Sequence, residues 1–367
     1  MNSKKYNNIK ISISIIEALL SFVLIFIFVY AGFSLQLENF VIDIFENKYW
    51  QFLFFVLILS VGMSILFFPF SFYIGFLLEH KYKLSNQTFG QWIWENVKGI
   101  FVSGLIGIPL LLFLYFVMLN SAGLWWLYFA IMLFFVSIIL AKILPIFILP
   151  LFYKITPLED ESLKERIIKL SSKVGLKVEN VFKFNMSKNT KKANAAFTGL
   201  GKTKKILLAD TLLESYSKDE IETVLAHEFG HYKHKHIIKN ILIGTFSSFA
   251  ILFVISLLYS ESLNWFNFKN IAQISALPLL MLWSMVTGFI QTPISNVISR
   301  KFEYQADRYA VESTGKPEVF IQTLEKLTEQ NLGDKEPHPL VEWFFYSHPS
   351  IKNRIKRIDL YISNVKK

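Results

Sequence analysis

Long apolar stretches alternate with polar, charged segments along this chain of 367 residues. Six of the stretches reach the roughly 20 residues that a helix needs to cross a bilayer, and they occupy residues 11–35, 52–78, 99–119, 124–152, 237–259 and 272–298. The first is too long for a removable signal peptide and lacks a small-residue cleavage site, so we expect it to remain as an anchor. The pattern therefore predicts a polytopic α-helical membrane protein with about six spans.

The polar segments divide the chain further. The predicted organisation is an N-terminal membrane region with four spans, a polar region, two further spans and a C-terminal polar region, at residues 1–152, 153–236, 237–298 and 299–367. In the first polar region, residues 161–174 carry apolar side chains at helical spacing. The β-prone runs Ala193–Thr198 and Thr203–Ala209, joined by Gly199–Lys202, predict a hairpin. The region thus combines helix and strand.

A second helix is predicted to begin near Ser217 in the same region. Glu220 follows three residues later, as in a capping box, in which each residue satisfies a backbone N–H of the other. The helix is expected to run through His231.

Composition narrows the class of protein. Hydrophobic residues make up 53% of the chain and charged residues only 18%, against roughly 25% charged in soluble domains, and mean hydropathy is +0.41. These values exclude disorder and collagen as descriptions of the whole chain. The absence of cysteine from the sequence excludes a disulfide scaffold, cysteine-ligated zinc and thiol catalysis.

The net charge of +10 is best explained by membrane topology. Lys and Arg number three in residues 1–10, three in 79–98, 16 in 153–236 and 12 in 299–367, whereas the loops 36–51, 120–123 and 260–271 hold only Lys48 and Lys269. Positive loops stay on the cytosolic side. Both termini and both polar regions are therefore expected in the cytosol, and nucleic acid is not expected as a partner.

The candidate chemistry begins with His227-Glu228-Phe229-Gly230-His231, which matches H-E-x-x-H. On a helix, two histidines four residues apart share one face and can bind one Zn²⁺, while the glutamate between them can act on a water that the metal activates. A catalytic zinc site needs a third protein ligand. The motif therefore predicts one zinc ion per chain, held by His227 and His231, with Glu228 as general base.

The third ligand is expected from the segment that follows the last span. Glu303 and Asp307 form a helical i, i+4 pair there. Glu303 can complete a His₂Glu site, and Asp307 can accept a hydrogen bond from the other ring nitrogen of a ligand histidine. His234 and His236, just beyond the motif, are interpreted as polar residues at the membrane interface.

Together these motifs resemble one family. HEFGH, then SRKFEYQAD, then SHPS with Arg354 six residues after His348, is similar to the integral-membrane zinc metalloproteases of the CAAX prenyl protease type I family, the a-factor-converting enzymes. The resemblance continues upstream through EHKYKLSNQTFG, LPLFYKITPL and ANAAFTGLGKTKKILLADTLLE, and so covers about residues 52–360.

The resemblance implies an α+β gluzincin metalloprotease domain embedded in a ring of helices around an intramembrane chamber. By position, it implies zinc ligation by His227, His231 and Glu303, with Glu228 as the base. It further implies that His348 and Arg354 stabilise the oxyanion, and that Asn194 and Ala195 lie on the edge strand that pairs with the substrate. Eukaryotic members have seven spans, one more than the count here.

The function predicted is a membrane-embedded zinc metalloendopeptidase acting on peptide or protein substrates, lipidated or membrane-associated ones among them. Composition rich in Lys, Asn and Ile suggests a bacterial member, and hence the cell inner membrane. Two alternatives stay open. One is a quality-control protease like the heat-shock membrane protease HtpX, which usually has four spans; the other is a non-catalytic membrane transporter or scaffold.

Overall fold

The computed structural model describes residues 3–176, 181–198 and 205–365. The helices are, in chain order, α1 (Ser3–Tyr30), α2 (Phe33–Ile44), α3 (Lys48–Phe72), α4 (Glu79–Lys81), α5 (Phe89–Asn120), α6 (Trp125–Ile143), α7 (Leu149–Phe152), α8 (Glu161–Ser172), α9 (Asp210–Ser215), α10 (Lys218–Lys233), α11 (His236–Trp265), α12 (Leu277–Thr314), α13 (Pro317–Gln330), α14 (Pro339–Phe345) and α15 (Ile351–Val365). The strands are β1 (Ile155–Pro157), β2 (Val181–Phe184), β3 (Ala195–Thr198) and β4 (Lys205–Ala209).

Six helical segments of the described chain are long and apolar enough to cross a membrane, as predicted: Ser3–Tyr30, Lys48–Lys81, Phe89–Asn120, Trp125–Phe152, His236–Trp265 and Ile274–Thr314. They form a closed ring, in which α1 contacts α3, α3 contacts α5, α5 contacts α6, α6 contacts α11, α11 contacts α12, and α12 returns to α1. Large apolar side chains on the ring are exposed, such as Phe101 and Phe246 at 69% and 78%. An apolar outer surface of this extent suits contact with lipid.

The first span ends earlier than predicted. Gly32 adopts a left-handed conformation, with φ 78°, which ends α1 at Tyr30. The 12-residue α2 then occupies part of what the sequence suggested was a loop, and it is too short to cross a bilayer. Its Glu38 accepts hydrogen bonds from the Ile274 N–H and the Ser275 hydroxyl, at 3.1 and 2.5 Å. α2 therefore packs across the start of the last span.

The two ends of the ring differ in the segments of the chain that lie there. At one end, Tyr6 of α1 donates to Glu79, and Lys192 of the polar region pairs with the same carboxylate at 2.9 Å. At the other end, α2 meets the loop before α12. The lysine-rich segments thus gather at one end of the ring, and the lysine-poor loops lie at the other.

The strands form one sheet in the order β1-β2-β4-β3. β3 and β4 pair antiparallel, which confirms the predicted hairpin, although its connection at 199–202 lies outside the described residues. The sequence interpretation missed β1 and β2, which pair antiparallel with each other, while β2 runs parallel to β4. β3 is consequently an edge strand.

The predicted boundary between residues 298 and 299 falls inside a continuous helix. α12 runs unbroken for 38 residues from the membrane span into the polar region. Because it packs along α10, it connects the membrane ring directly to the helix that carries the His-Glu motif. The passage from the predicted membrane span to the predicted polar region therefore occurs without a break in the helix.

Candidate metal centre and active site

The two histidines of the motif lie on α10, and this helix begins where the sequence predicted. The Ser217 hydroxyl accepts a hydrogen bond from the Glu220 N–H at 3.3 Å, and the Glu220 carboxylate accepts one from the Ser217 N–H at 2.7 Å. The helix continues past the motif to Lys233. His227 and His231 therefore share one face, and their Nε2 atoms are 3.1 Å apart.

α12 brings Glu303 to this pair. Its Oε2 atom lies 3.4 Å from His227 Nε2, and its Oε1 atom lies 3.3 Å from His231 Nε2. The close approach depends on Gly230, since a Cβ atom there would lie 2.8 Å from the Cα of Ala306. Overpacking of this kind forces backbone shifts. Glycine at this position of the motif therefore sets the separation of α10 and α12.

The three side chains fit a metal ion. One ligand atom from each lies within 4.8 Å of the others. Glu303 Oε2 is buried without a hydrogen-bond partner, although buried polar atoms are normally paired. Zinc binds imidazole and carboxylate at about 2.0–2.2 Å in a tetrahedral arrangement, which separates neighbouring ligand atoms by about 3.3 Å. The observed separations are close to that value, so donor type, number and spacing all suit zinc.

A second layer of polar groups supports His227. Its Nδ1 atom lies 2.8 Å from Asp307 Oδ1, and Arg354 donates through Nε to Asp307 Oδ2 at 2.9 Å and through Nη2 to Oδ1. Burial lowers the pKa of His227, but Asp307 and Glu303 outweigh it and raise the pKa to about 10. The pKa of Arg354 is raised as well, because Asp307 outweighs the effect of burial. The carboxylates thus create a negative potential that favours a cation.

His231 has support that the sequence interpretation missed. His236, interpreted from the sequence as a polar residue at the membrane interface, is the first residue of the span His236–Trp265 and is 1% exposed. Its Nε2 atom donates to Gln305 Oε1 at 2.8 Å, and its Nδ1 atom lies 3.0 Å from His231 Nδ1. His236 Nδ1 is then the acceptor, and His231 carries its proton on Nδ1. This tautomer leaves the lone pair of His231 Nε2 facing Glu303.

The contact of His236 with His231 could not be read from helical spacing. Lys235, between the two helices, adopts φ 56°, and the resulting turn folds α11 back toward α10. The usable signal was the local density of histidine, three within residues 231–236. That density marks a candidate cluster without saying which ring faces which.

A cleft of about 460 Å³ is lined by two of the three donors, His227 and Glu303. Five of the other predicted site residues line it: Asn194, Ala195, Glu228, His348 and Arg354. One wall is apolar and consists of Leu212, Val224, Phe320, Leu324 and Leu327. The structure therefore gathers these predicted residues around one opening, whose lining combines polar groups with an apolar wall.

His348 lies at the exposed side of this opening. Its Nε2 atom is 3.4 Å from Glu303 Oε1, and its Nδ1 atom is 3.1 Å from the Ser347 hydroxyl. Arg354 lies deeper and directs two of its donor atoms to Asp307. His348 and Arg354, to which the resemblance assigned the same role at the oxyanion, therefore differ in exposure and in hydrogen-bond partners.

The strand β3 presents its free edge to the same cleft. The Asn194 carbonyl accepts from the Ala209 N–H on the β4 side at 3.0 Å. Because successive residues of a strand direct their backbone groups to opposite sides, the N–H and C=O of Ala195 face away from β4. Among the described residues, no strand pairs with that side. The edge is open to an extended peptide.

The ring of spans, the His-Glu helix and the third donor on a neighbouring helix define a membrane-embedded metallopeptidase. Two family models match, Peptidase family M48 over residues 157–362 and "CAAX prenyl protease N-terminal, five membrane helices" over residues 1–154. The chain belongs to Peptidase family M48.

Known relatives extend over most of the chain. The "Uncharacterized metalloprotease YhfN" of Bacillus subtilis is 30% identical over 97% of this chain and 84% of its own length. CAAX prenyl protease 1 of Saccharomyces cerevisiae is 35% identical over 82% of this chain and 70% of its own length. The crystal structure of S. mikatae Ste24p superposes with a TM-score of 0.86 at 30% identity, covering 97% of this chain and 88% of that one.

These matches confirm the resemblance, the fold class and the prediction of a membrane metalloendopeptidase. The chain is a multi-pass membrane protein whose family uses a metal. The match of residues 1–154 to the prenyl protease membrane region favours that architecture over the HtpX-like alternative.

Proposed function

We propose that this chain is a zinc endopeptidase that holds one Zn²⁺ through His227, His231 and Glu303. The observation that carries the proposal is the buried, unpartnered Glu303 Oε2 beside two imidazole Nε2 atoms at 3.1–3.4 Å separations. A cation held between the three donors would compensate the burial of this carboxylate oxygen.

Removal and return of the metal test this proposal. The full-length chain, purified in detergent, is expected to contain close to one equivalent of zinc, to lose peptide cleavage when a chelator removes it, and to recover cleavage on addition of Zn²⁺. Metal analysis and product detection by mass spectrometry measure the two quantities together. Full cleavage by chain shown to be free of metal would contradict the proposal.

The chemistry follows from the residues around the metal. When bound, zinc would polarise the scissile carbonyl and acidify a water. Glu228, which follows a ligand directly and lines the cleft, would accept a proton from the attacking water and pass it to the leaving amine nitrogen. One carboxylate can perform both transfers because the proton returns to the substrate within one turnover.

Charge that develops on the carbonyl oxygen requires a donor beside it. His348 suits this task, since its ring lies at the open side of the cleft, close to Glu303. Arg354 contributes positive charge from behind and positions Asp307, which in turn orients His227. We therefore assign the direct contact with the oxyanion to His348 and a supporting role to Arg354.

The substrate is proposed to be an extended peptide that adds a strand to β3. The open N–H and C=O of Ala195, beside the exposed Asn194, offer the pairing groups. The apolar wall of the cleft suits an apolar side chain, and the surrounding membrane ring suits peptides that are lipidated or membrane-associated. Prenylated peptides are the first class to test, because relatives of 28–35% identity carry the name CAAX prenyl protease 1 or its homologue.

The site is proposed to face the cytosol of a cell whose inner membrane the chain spans. This orientation is supported by the gathering of the lysine-rich segments at one end of the ring, since positive segments remain on the cytosolic side. A cytosolic reporter fused after Lys367 is expected to be active, and the same reporter inserted near Asn264 to be inactive. The reverse pattern would overturn the orientation.

A further inference from the structure

The side chain of Asn331 lies along the free edge of the strand segment that leads into β3. Its Oδ1 atom accepts from the Ala193 N–H at 2.9 Å, and its Nδ2 atom donates to the Ala193 carbonyl at 3.1 Å. Both backbone groups of one residue face the same way only where the chain is extended. The amide of Asn331 therefore bonds with Ala193 as a residue of a neighbouring strand would.

Two residues later, at Ala195, the backbone groups on the same edge of the chain have no such partner among the described residues. Asn194 directs its carbonyl toward β4, so Ala193 and Ala195 both direct their backbone groups to the open edge. Those of Ala193 are taken by Asn331, whereas no residue in the described part of the chain bonds with those of Ala195. Ala193, Ala195 and Asn331 all line the cleft that holds His227 and Glu303.

We infer that Asn331 sets the register of the substrate on β3 by closing the edge at Ala193. An incoming extended peptide can then pair from Ala195 onward but cannot slide by one two-residue repeat toward Ala193. Side chains along a strand repeat with a period of two, so such a slide would keep every side chain on its face while bringing a different peptide bond to the metal ligands. Asn331 is thus a positioning residue for the choice of bond.

The position of Asn331 is itself held firmly. It follows α13, and its N–H donates to the Leu327 carbonyl at 3.0 Å. The preceding Gln330 donates to the Lys191 carbonyl at 2.8 Å and accepts from the Tyr216 hydroxyl at 2.8 Å. Two neighbouring amides therefore anchor to the same segment, but only that of Asn331 occupies the edge beside Ala195.

The inference rests on the proposed function, and Asn331→Ala tests it. Synthetic peptides that the full-length wild-type chain cleaves at a single bond would be digested and their products mapped by mass spectrometry. The variant is expected to release additional products displaced by two residues. The displaced fraction should rise about tenfold, because the N–H and C=O of Ala193 become available to the substrate and each hydrogen bond would favour the displaced register roughly threefold. An unchanged product pattern would overturn the inference.

Three further variants separate the possible causes. Gln330→Ala, the matched control, loses an amide contact to the same segment and should keep the wild-type products. Ala195→Pro removes the open N–H and should lower all cleavage, by at least the roughly threefold effect of one such hydrogen bond, without adding products. Asn331→Asp retains the acceptor for the Ala193 N–H and should show a smaller displaced fraction, so it carries the test if Asn331→Ala does not fold.

Amide hydrogen exchange provides a readout that does not depend on activity. In the substrate-free wild type, the Ala193 N–H should exchange more slowly than that of Ala195, and Asn331→Ala should remove the difference. Equal exchange in the wild type would contradict the inference, as would unfolding of both Asn331 variants beside a folded Gln330→Ala chain. If wild-type cleavage did not depend on Glu228, the proposed function would fail first and the register inference with it.

Discussion

Replacing Glu228 with alanine is expected to abolish peptide hydrolysis while leaving zinc at about one equivalent. Glu228 lies between His227 and His231 in sequence and lines the cleft, but it is not one of the three clustered donors. Loss of a general base typically costs about 10²–10⁴-fold in rate. The ligands stay in place, so metal content measured on the purified variant should match that of the wild type.

A control on the same helix isolates this effect. Glu222 also lies on α10, and its carboxylate pairs with Lys316 at 2.8 Å, outside the residues that line the cleft. Glu222→Ala should retain activity close to that of the wild type. A folded Glu228→Ala chain without metal would instead assign Glu228 to the ligands and reverse its proposed role.

Replacing Glu303 with alanine is expected to remove both the metal and the activity. Two imidazoles would remain, and a catalytic zinc site requires three protein ligands. The fall in zinc affinity should exceed the roughly 10–100-fold cost of losing a residue that merely supports a ligand. Affinity is measured by competition with a chromophoric chelator, and activity on the same preparation.

The surface of the same helix offers a matched variant. Glu312 lies farther along α12 and bonds with Arg308 and Tyr361, at 2.8 and 2.7 Å. Glu312→Ala should therefore keep both zinc and cleavage. Full zinc occupancy in Glu303→Ala would mean that the third ligand lies elsewhere, and Asp307 would be the next residue to replace.

The local parts of the structure were predictable because each depends on neighbouring residues. The start of α10 follows from Ser217 and Glu220, whose two hydrogen bonds form within a single turn. The β3–β4 hairpin follows from two short β-prone runs close in sequence. The six spans follow from length and hydropathy, because a bilayer demands about 20 apolar residues whatever their neighbours are.

Other local features could not be predicted from the hydrophobic pattern. The first span and α2 form a nearly continuous apolar run, so the break at Gly32 left little trace in the hydrophobic pattern. β1 and β2 are only three and four residues long. Their pairing joins segments distant in sequence, and such strands lack the turn signal that marks a hairpin.

The sequence by itself determined the candidate donors, an HExxH pair on one helical face and a later glutamate, and it concentrated the basic residues in four segments of the chain. Only the tertiary structure decided how close the donors come. Gly230 against Ala306 sets the distance between α10 and α12, and the turn at Lys235 brings His236 to His231. Asn331 reaches Ala193 across 138 residues of chain. Periodicity reports the faces of one element, whereas contacts between elements depend on packing that no single segment encodes.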